Sequence, residues 1–193
     1  MTRHTEYDKL DPMFIERWSP RSLRSDPIPE EDLMTLIEAA RWSPSCFNDQ
    51  PAYFGVANTP EDLALYQNCL MEKNNLWAQK APVLLALFTR KHFGHNGSEN
   101  ALASFDAGAA WMSLALQAHK LGYVTHAMAG FSADKLYKAT GVDPERYAAQ
   151  CMIAVGKQGP LSALPEALQE REKPNRRQDI RDVFFKGSHG DHG

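Results

Sequence analysis

Cysteine is scarce: Cys46, Cys69 and Cys151 are the only three in 193 residues. An odd number with no CxxC spacing speaks against a disulfide scaffold and reads as reduced thiols in a cytoplasmic setting. No apolar run reaches the roughly 20 residues of a membrane helix. The stretch Met1–Asp8 lacks the apolar core expected of a signal peptide. Neither sign of charge dominates. With 21 Lys and Arg against 24 Asp and Glu, the formal net charge is −3, which argues against general binding to nucleic acid or to a membrane surface. There is no GxGxxG, hence no Rossmann fingerprint. P-loop, heptads and internal repeats are missing too, as is any nucleophile with a base at recognisable spacing. What is there is an ordinary globular composition, 43% apolar and 23% charged, in a chain long enough for one domain with a sizeable core.

The pattern along the chain alternates helix and strand without clean βαβ units. Residues 1–12 read as a flexible N-terminus, 13–186 as the domain and 187–193, with His189 and His192, as a disordered tail. Met13 to Trp18 is a short helix or turn. Prolines and acids at 25–32 start a helix whose Leu33, Leu36, Ile37 and Ala40 fall on one face; it ends near Trp42, before Pro44. Tyr53–Ala57 is a strand and Pro60–Met71 a helix. Val83–Phe88 is an unbroken apolar run, suited to a strand buried on both faces. A polar loop, Thr89–Asn100, leads to the longest helix, about Ala101–Leu121, with Gly122 as its cap. Tyr123–Met128 reads as a strand, Ala133–Thr140 as a helix between Ser132 and Gly141, and Cys151–Val155 as a second buried strand. After a polar arm, Ile180, Val183, Phe184 and Phe185 form an apolar segment that needs a partner surface, which a second copy of the chain can supply.

Two stretches carry chemistry. In Arg17-Trp18-Ser19-Pro20-Arg21, residues two apart share a side, so two guanidiniums and a hydroxyl can face one phosphate; a solvated basic turn is the alternative. In Pro44-Ser45-Cys46-Phe47-Asn48-Asp49-Gln50-Pro51, amide side chains can read the edge of a heteroaromatic ring, or Ser and Asn can cap their own backbone. His92-x-x-His95 with Glu99 reads as a solvated loop, so no metal site is expected. Cys46 reads as a small packing residue. His126 reads either as a proton donor or as a packing histidine.

The order R-x-S-x-R, then I-P-E-E-D-L, then P-S-x-x-N-x-Q-P resembles the nitroreductase family of FMN-dependent oxidoreductases. The likeness continues through Asn74-x-x-Trp77, Asp106-Ala-Gly-Ala, Ala129-Gly130-Phe131, the strand ending at Gly156, and Arg177. It covers roughly residues 13–186. The resemblance implies an α+β fold, a mixed β-sheet flanked by helices, in an intertwined homodimer whose C-terminal strands are exchanged. It puts Arg17, Ser19 and Arg177 on the FMN phosphate, with Asn175 beside them. Arg21 and Asn74 fall at the pyrimidine side, and the backbone at Ala129 and Gly130 faces N5. Ser45, Cys46 and Asn48 come from the other subunit. Trp18, Pro44, Gln50 and Met128 complete the implied cofactor-binding set. Departures are Trp77 where some members have a basic residue, Ala129 for a glutamate, Asn175 for a basic group, and Gln50-Pro51-Ala52 for Gln-Pro-Trp. The implied activity is hydride transfer from NAD(P)H to the flavin and then to a nitroaromatic, quinone, enone or similar acceptor, in a ping-pong cycle. No side-chain acid–base pair is required, because the cofactor carries the reaction.

Overall fold

The run at Val83–Phe88 becomes the spine of the sheet. In the computed structural model, which describes residues 3–188, the strands are β1 (Ala52–Ala57), β2 (Val83–Arg90), β3 (Val124–Met128) and β4 (Tyr147–Gly156). They form one sheet in the order β1-β2-β4-β3. All three pairings are antiparallel, so the parallel neighbour that a mixed sheet needs is not among the described residues. The helices are α1 (Met13–Glu16), α2 (Glu30–Arg41), α3 (Pro60–Gln67), α4 (Glu72–Ala78), α5 (Ala103–Lys120), α6 (Ala133–Thr140) and α7 (Glu166–Gln169). The α+β class expected from the resemblance is what forms. Among the described residues no helix is long and apolar enough to cross a membrane.

Side chains of a strand alternate between faces, and β2 uses both. Val83, Leu85 and Leu87 join Ile153 and Val155 against Leu33, Leu36, Ala107, Ala110 and Leu114 of α2 and α5. Leu84, Ala86 and Phe88 join Met152 and Ala154 against Tyr66, Trp77 and Leu136 of α3, α4 and α6. The sheet is therefore a middle layer with helices on both sides. That is why the run shows no alternation. The small residues of α5 let it lie close to both α2 and the sheet.

Several boundaries differ from the sequence reading, each for a tertiary reason. The helix expected over Pro60–Met71 ends at Gln67, because Leu70 forms a bridge with Phe131 and the Met71 N–H donates to the Gly130 carbonyl. Tyr123 leaves β3, since its N–H closes the end of α5 on Ala118 and its hydroxyl donates to Asp32 at 2.6 Å. The strand expected at Cys151–Val155 starts at Tyr147, past a bulge between Leu87 and Phe88 that disturbs the pairing register. Ser132 and Gly141 do cap α6: the Ser132 hydroxyl accepts from the Lys135 N–H, and Gly141 has φ 69°. Ile180–Asp182 forms a 3₁₀ turn, with Val183 and Phe184 exposed. Of the tail expected at 187–193, residues 189–193, with His189 and His192, lie outside the described residues.

Ile153, fully buried in the centre, sets one expectation: Ile153→Ala lowers unfolding free energy by about 2–5 kcal/mol, read from urea denaturation. A second concerns pH. Burial pushes the Tyr66 hydroxyl up to about 12, and the Asp32 hydrogen bond does the same for Tyr123. Both are raised above their unfolded values, so their contribution is present below pH about 10. It is lost as pH rises through about 12. The urea midpoint is expected to fall over that window, and Tyr66→Phe with Tyr123→Phe to flatten the fall.

Candidate functional site

The turn after α1 is fixed from four directions. The Arg21 and Ser22 N–H groups both donate to one Glu172 carboxylate oxygen, at 2.6 and 2.7 Å. The Ser22 hydroxyl donates to the Pro160 carbonyl at 2.5 Å. Leu23 pairs as a bridge with Gln158, just past β4. Nδ1 of His126, on edge strand β3, lies 3.1 Å from the Pro20 carbonyl. A carbonyl only accepts, so Nδ1 carries the proton. Burial holds the His126 pKa below its ordinary value, and nearby Arg21 adds to the lowering. The imidazole also packs on Trp77, centroids 4.6 Å apart. Trp77 is itself core, 2% exposed.

So held, Arg17, Trp18, Ser19 and Arg21 line a cavity of about 530 Å³ together with Asn175, Arg177, Arg3 and His126. The two ends of the chain meet there. Arg17 is half-buried, its Nη1 is 3.4 Å from Ser19 Oγ, and its Nε is buried without a partner. Among the described residues no carboxylate pairs with Arg17 or Arg177. Burial lowers the Arg17 pKa, and the like charges of Arg3 and Arg177 lower it further; the guanidinium nonetheless stays charged. Arg21 differs, because Glu172 lies 3.7 Å from it. A desolvated, unpaired fork with a hydroxyl beside it has the donor set for an anion such as a phosphate.

The loop from Pro44 to Gln50 lies elsewhere. Pro44, Ser45 and Gln50 line a second cavity, about 280 Å³, with Asp106 and Ala52–Phe54 of β1. Its entry is fixed by Ser43 Oγ on Ser113 Oγ at 2.7 Å and by the Cys46 N–H on Asp106 at 3.1 Å. Its exit is fixed by Asp49, whose carboxylate accepts from the Gly94 N–H at 2.7 Å and from Arg90 at 3.0 Å. Between them Phe47, Asn48 and Gln50 have φ of 53°, 55° and 50°, a left-handed backbone costing roughly 1–2 kcal/mol per non-glycine residue. The Gln50 amide donates to the Asn48 carbonyl at 2.9 Å, so that donor is used within the loop. Phe47 stands 79% exposed, its ring tilted against His95 and edge-on to Phe93. His95 of the histidine pair thus packs with aromatic rings, while His92 and Glu99 face each other as bridge partners.

Two further members of the expected set meet at the end of β3. Asn74 Nδ2 donates to the Gly130 carbonyl at 3.0 Å, and a Cβ on residue 130 would sit 2.6 Å from that nitrogen. Only glycine fits. The Gly130 N–H makes no hydrogen bond among the described residues. Ala129 is exposed, whereas the Met128 side chain is buried in the core, away from either cavity.

Three contributors were not legible as such. Arg3 lies in the stretch read as flexible, and Glu172 sits in a polar arm with no spacing to mark it. Asp106 was visible only as part of a motif. Each acts across a long sequence separation, where no local pattern exists. Glu172→Ala strands two backbone N–H groups; we expect a loss of about 1.5–3 kcal/mol in urea denaturation, with faster exchange of the Arg21 and Ser22 amides.

Comparison with known proteins places the chain. The nitroreductase family description matches residues 15–75 and 66–157. A crystal structure described as an oxidoreductase containing FMN superposes with a TM-score of 0.92 at 42% identity, covering 97% of this chain and 96% of that one. A protein from Exiguobacterium sibiricum 255-15, solved in complex with FMN, gives a TM-score of 0.77 at 21% identity over 96% of this chain and 100% of that one, which speaks for the fold. The CLA biosynthesis enone reductase of Lactiplantibacillus plantarum is 29% identical over 188 residues, 78% of this chain and 85% of that protein. Matched over most of its domain, the chain belongs to the nitroreductase family.

Proposed function

We propose that this chain is an FMN-dependent oxidoreductase that works as a homodimer, oxidising NAD(P)H and reducing a nitroaromatic, quinone or similar acceptor. The observation that carries the reading is the half-buried Arg17 guanidinium, its Nε buried without a partner, which converges with Ser19 and Arg177 and has no carboxylate of its own among the described residues. A close relative in fold and sequence is described as containing FMN. When bound, FMN supplies the redox chemistry, accepting hydride from the nicotinamide and delivering it to the acceptor in alternating half-reactions.

The residues of the chain bind and orient. Arg17, Ser19 and Arg177 grip the phosphate, with Asn175 and Trp18 at its side. Arg21 is assigned to the pyrimidine side, where a guanidinium favours negative charge; the near-buried Glu172 keeps it in place. Asn74, tethered to Gly130, is assigned to the same ring edge. The unpartnered Gly130 N–H is assigned to N5, with the Ala129 and Met128 backbone beside it. His126, with Nδ1–H on Pro20, is a packing residue that steadies the arginine turn in this reading.

The loop residues Pro44, Ser45, Cys46, Asn48 and Gln50 are assigned to the partner's cofactor. Strands β1 and β3 are opposite edges of the sheet, three strand spacings or about 14 Å apart. One copy therefore offers half of each site at either edge. Trp42 and Phe105 stand 74% and 76% exposed, and the segment from Ile180 to Phe185 is assigned to strand exchange with the partner.

The relative that is an enone reductase favours a second reading of the acceptor, a conjugated enone rather than a nitro compound or quinone.

The purified protein should be yellow with FMN, and initial rates should give parallel double-reciprocal lines. Arg17→Ala and Arg177→Ala should each weaken FMN binding by about 1.5–3 kcal/mol, the worth of a charge-assisted contact. Unchanged affinity in both variants overturns the site. Bound FMN reduced by neither nicotinamide would mark a flavin-binding protein without turnover. Deleting residues 178–193 should convert a dimer to an unstable monomer in sedimentation; a stable, active monomer would exclude strand exchange.

A further inference from the structure

We propose that Arg3 is a positioning residue of the anion cavity, locking the Arg17 turn to the C-terminal arm that carries Arg177. The inference rests on the reading that this cavity holds the phosphate of FMN.

Arg3 spends its donors on carbonyls from both ends of the chain. Its Nη1 donates to the Ile15 and Arg17 carbonyls at 2.5 and 2.8 Å, and its Nε to the Asn175 carbonyl at 3.1 Å. Ile15 and Arg17 end a one-turn helix, where carbonyls lack intrahelical partners. Fixing the Arg17 carbonyl fixes the peptide from which the phosphate-facing turn departs. Asn175 stands two residues before Arg177, so fixing its carbonyl restrains the arm that carries Arg177. Glu172, earlier on the same arm, makes a second side-chain tie to the turn, at the Arg21 and Ser22 N–H groups.

The charge of Arg3 matters as well as its reach. It is bound by carbonyl dipoles and pairs with no carboxylate among the described residues. Arg3, Arg17 and Arg177 thus form a like-charged cluster: besides burial, Arg177 lowers the pKa of Arg3, and Arg3 and Arg177 lower that of Arg17. Arg3 also forms a wall common to three cavities, of about 530, 500 and 540 Å³. Only an arginine offers a planar fork wide enough for carbonyls on two segments at once.

The test compares full-length wild type with Arg3→Gln, Arg3→Lys, Arg177→Ala and the Arg3→Gln/Arg177→Ala double variant. FMN affinity is followed by flavin fluorescence over a range of salt. Arg3→Gln should weaken FMN about tenfold, the loss of one charge-assisted contact, and make the salt dependence shallower. Arg3→Lys should restore the salt dependence but not the affinity, because charge returns without the fork. The double variant should lose less than the two single losses combined, since Arg3 acts through Arg177. Unchanged FMN affinity in Arg3→Gln overturns the proposal. So does a loss strictly additive with Arg177→Ala and matched by an equal fall in the unfolding midpoint of the cofactor-free protein, which marks a general structural role. Inorganic phosphate separates this from the cofactor reading. If wild type ignores FMN yet is thermally stabilised by phosphate, and Arg3→Gln abolishes that shift, the flavin assignment fails while the role of Arg3 stands.

Discussion

A guanidinium drawn partly out of water without a carboxylate is costly, and much of the chain is arranged to hold Arg17 in that state. Four long-range contacts pin the turn that carries it: Glu172 on two N–H groups, Ser22 on Pro160, Leu23 on Gln158 and His126 on Pro20. They come from three parts of the sequence: His126 on β3, residues 158–160 just past β4, and Glu172. The repulsion among Arg3, Arg17 and Arg177 is opposed by backbone carbonyls, not by acids, so the net positive field survives for an incoming anion. A carboxylate partner for Arg17 would have stabilised the fold and silenced the cavity. Glu172 instead faces Arg21 and the backbone, where it supports the turn without neutralising Arg17.

The sheet decides what one copy can and cannot build. With β2 and β4 central and buried on both faces, β1 and β3 are left as edges. Every candidate feature gathers at an edge: the arginine cavity beside His126 of β3, the second cavity beside β1. Function at edges follows from packing, since the middle of the sheet is covered by α2 and α5 on one side and by α3, α4 and α6 on the other. In the proposed dimer, the exposed aromatic side chains of the loop and α5 would gain a partner, with a second copy covering one edge while completing the other.

Local strain sits in the same places. The left-handed residues Phe47, Asn48 and Gln50 sit in a loop held through Asp106 and Asp49. Backbone strain persists only where surroundings over-determine it. At the other edge, Asn74 approaches Gly130 closely, and the Gly130 N–H makes no hydrogen bond among the described residues. Neither place presents an acid–base pair, in keeping with chemistry supplied by a bound redox group.

The sequence by itself determined the α+β class, the two-sided strand at Val83–Phe88, the caps of α6 and the family. These rest on periodicity, turn chemistry and ordered short motifs, all of which are local. It also named Arg17, Ser19 and Arg177 as partners, through the resemblance and not through spacing. Only the tertiary structure decided that Arg3 joins them, that Glu172 holds the turn, that Met128 points into the core, and that Leu70 and Met71 leave the expected helix to meet Phe131 and Gly130. Those outcomes depend on groups far apart in the chain meeting across the sheet, and no local pattern records which carbonyl or carboxylate will be waiting there.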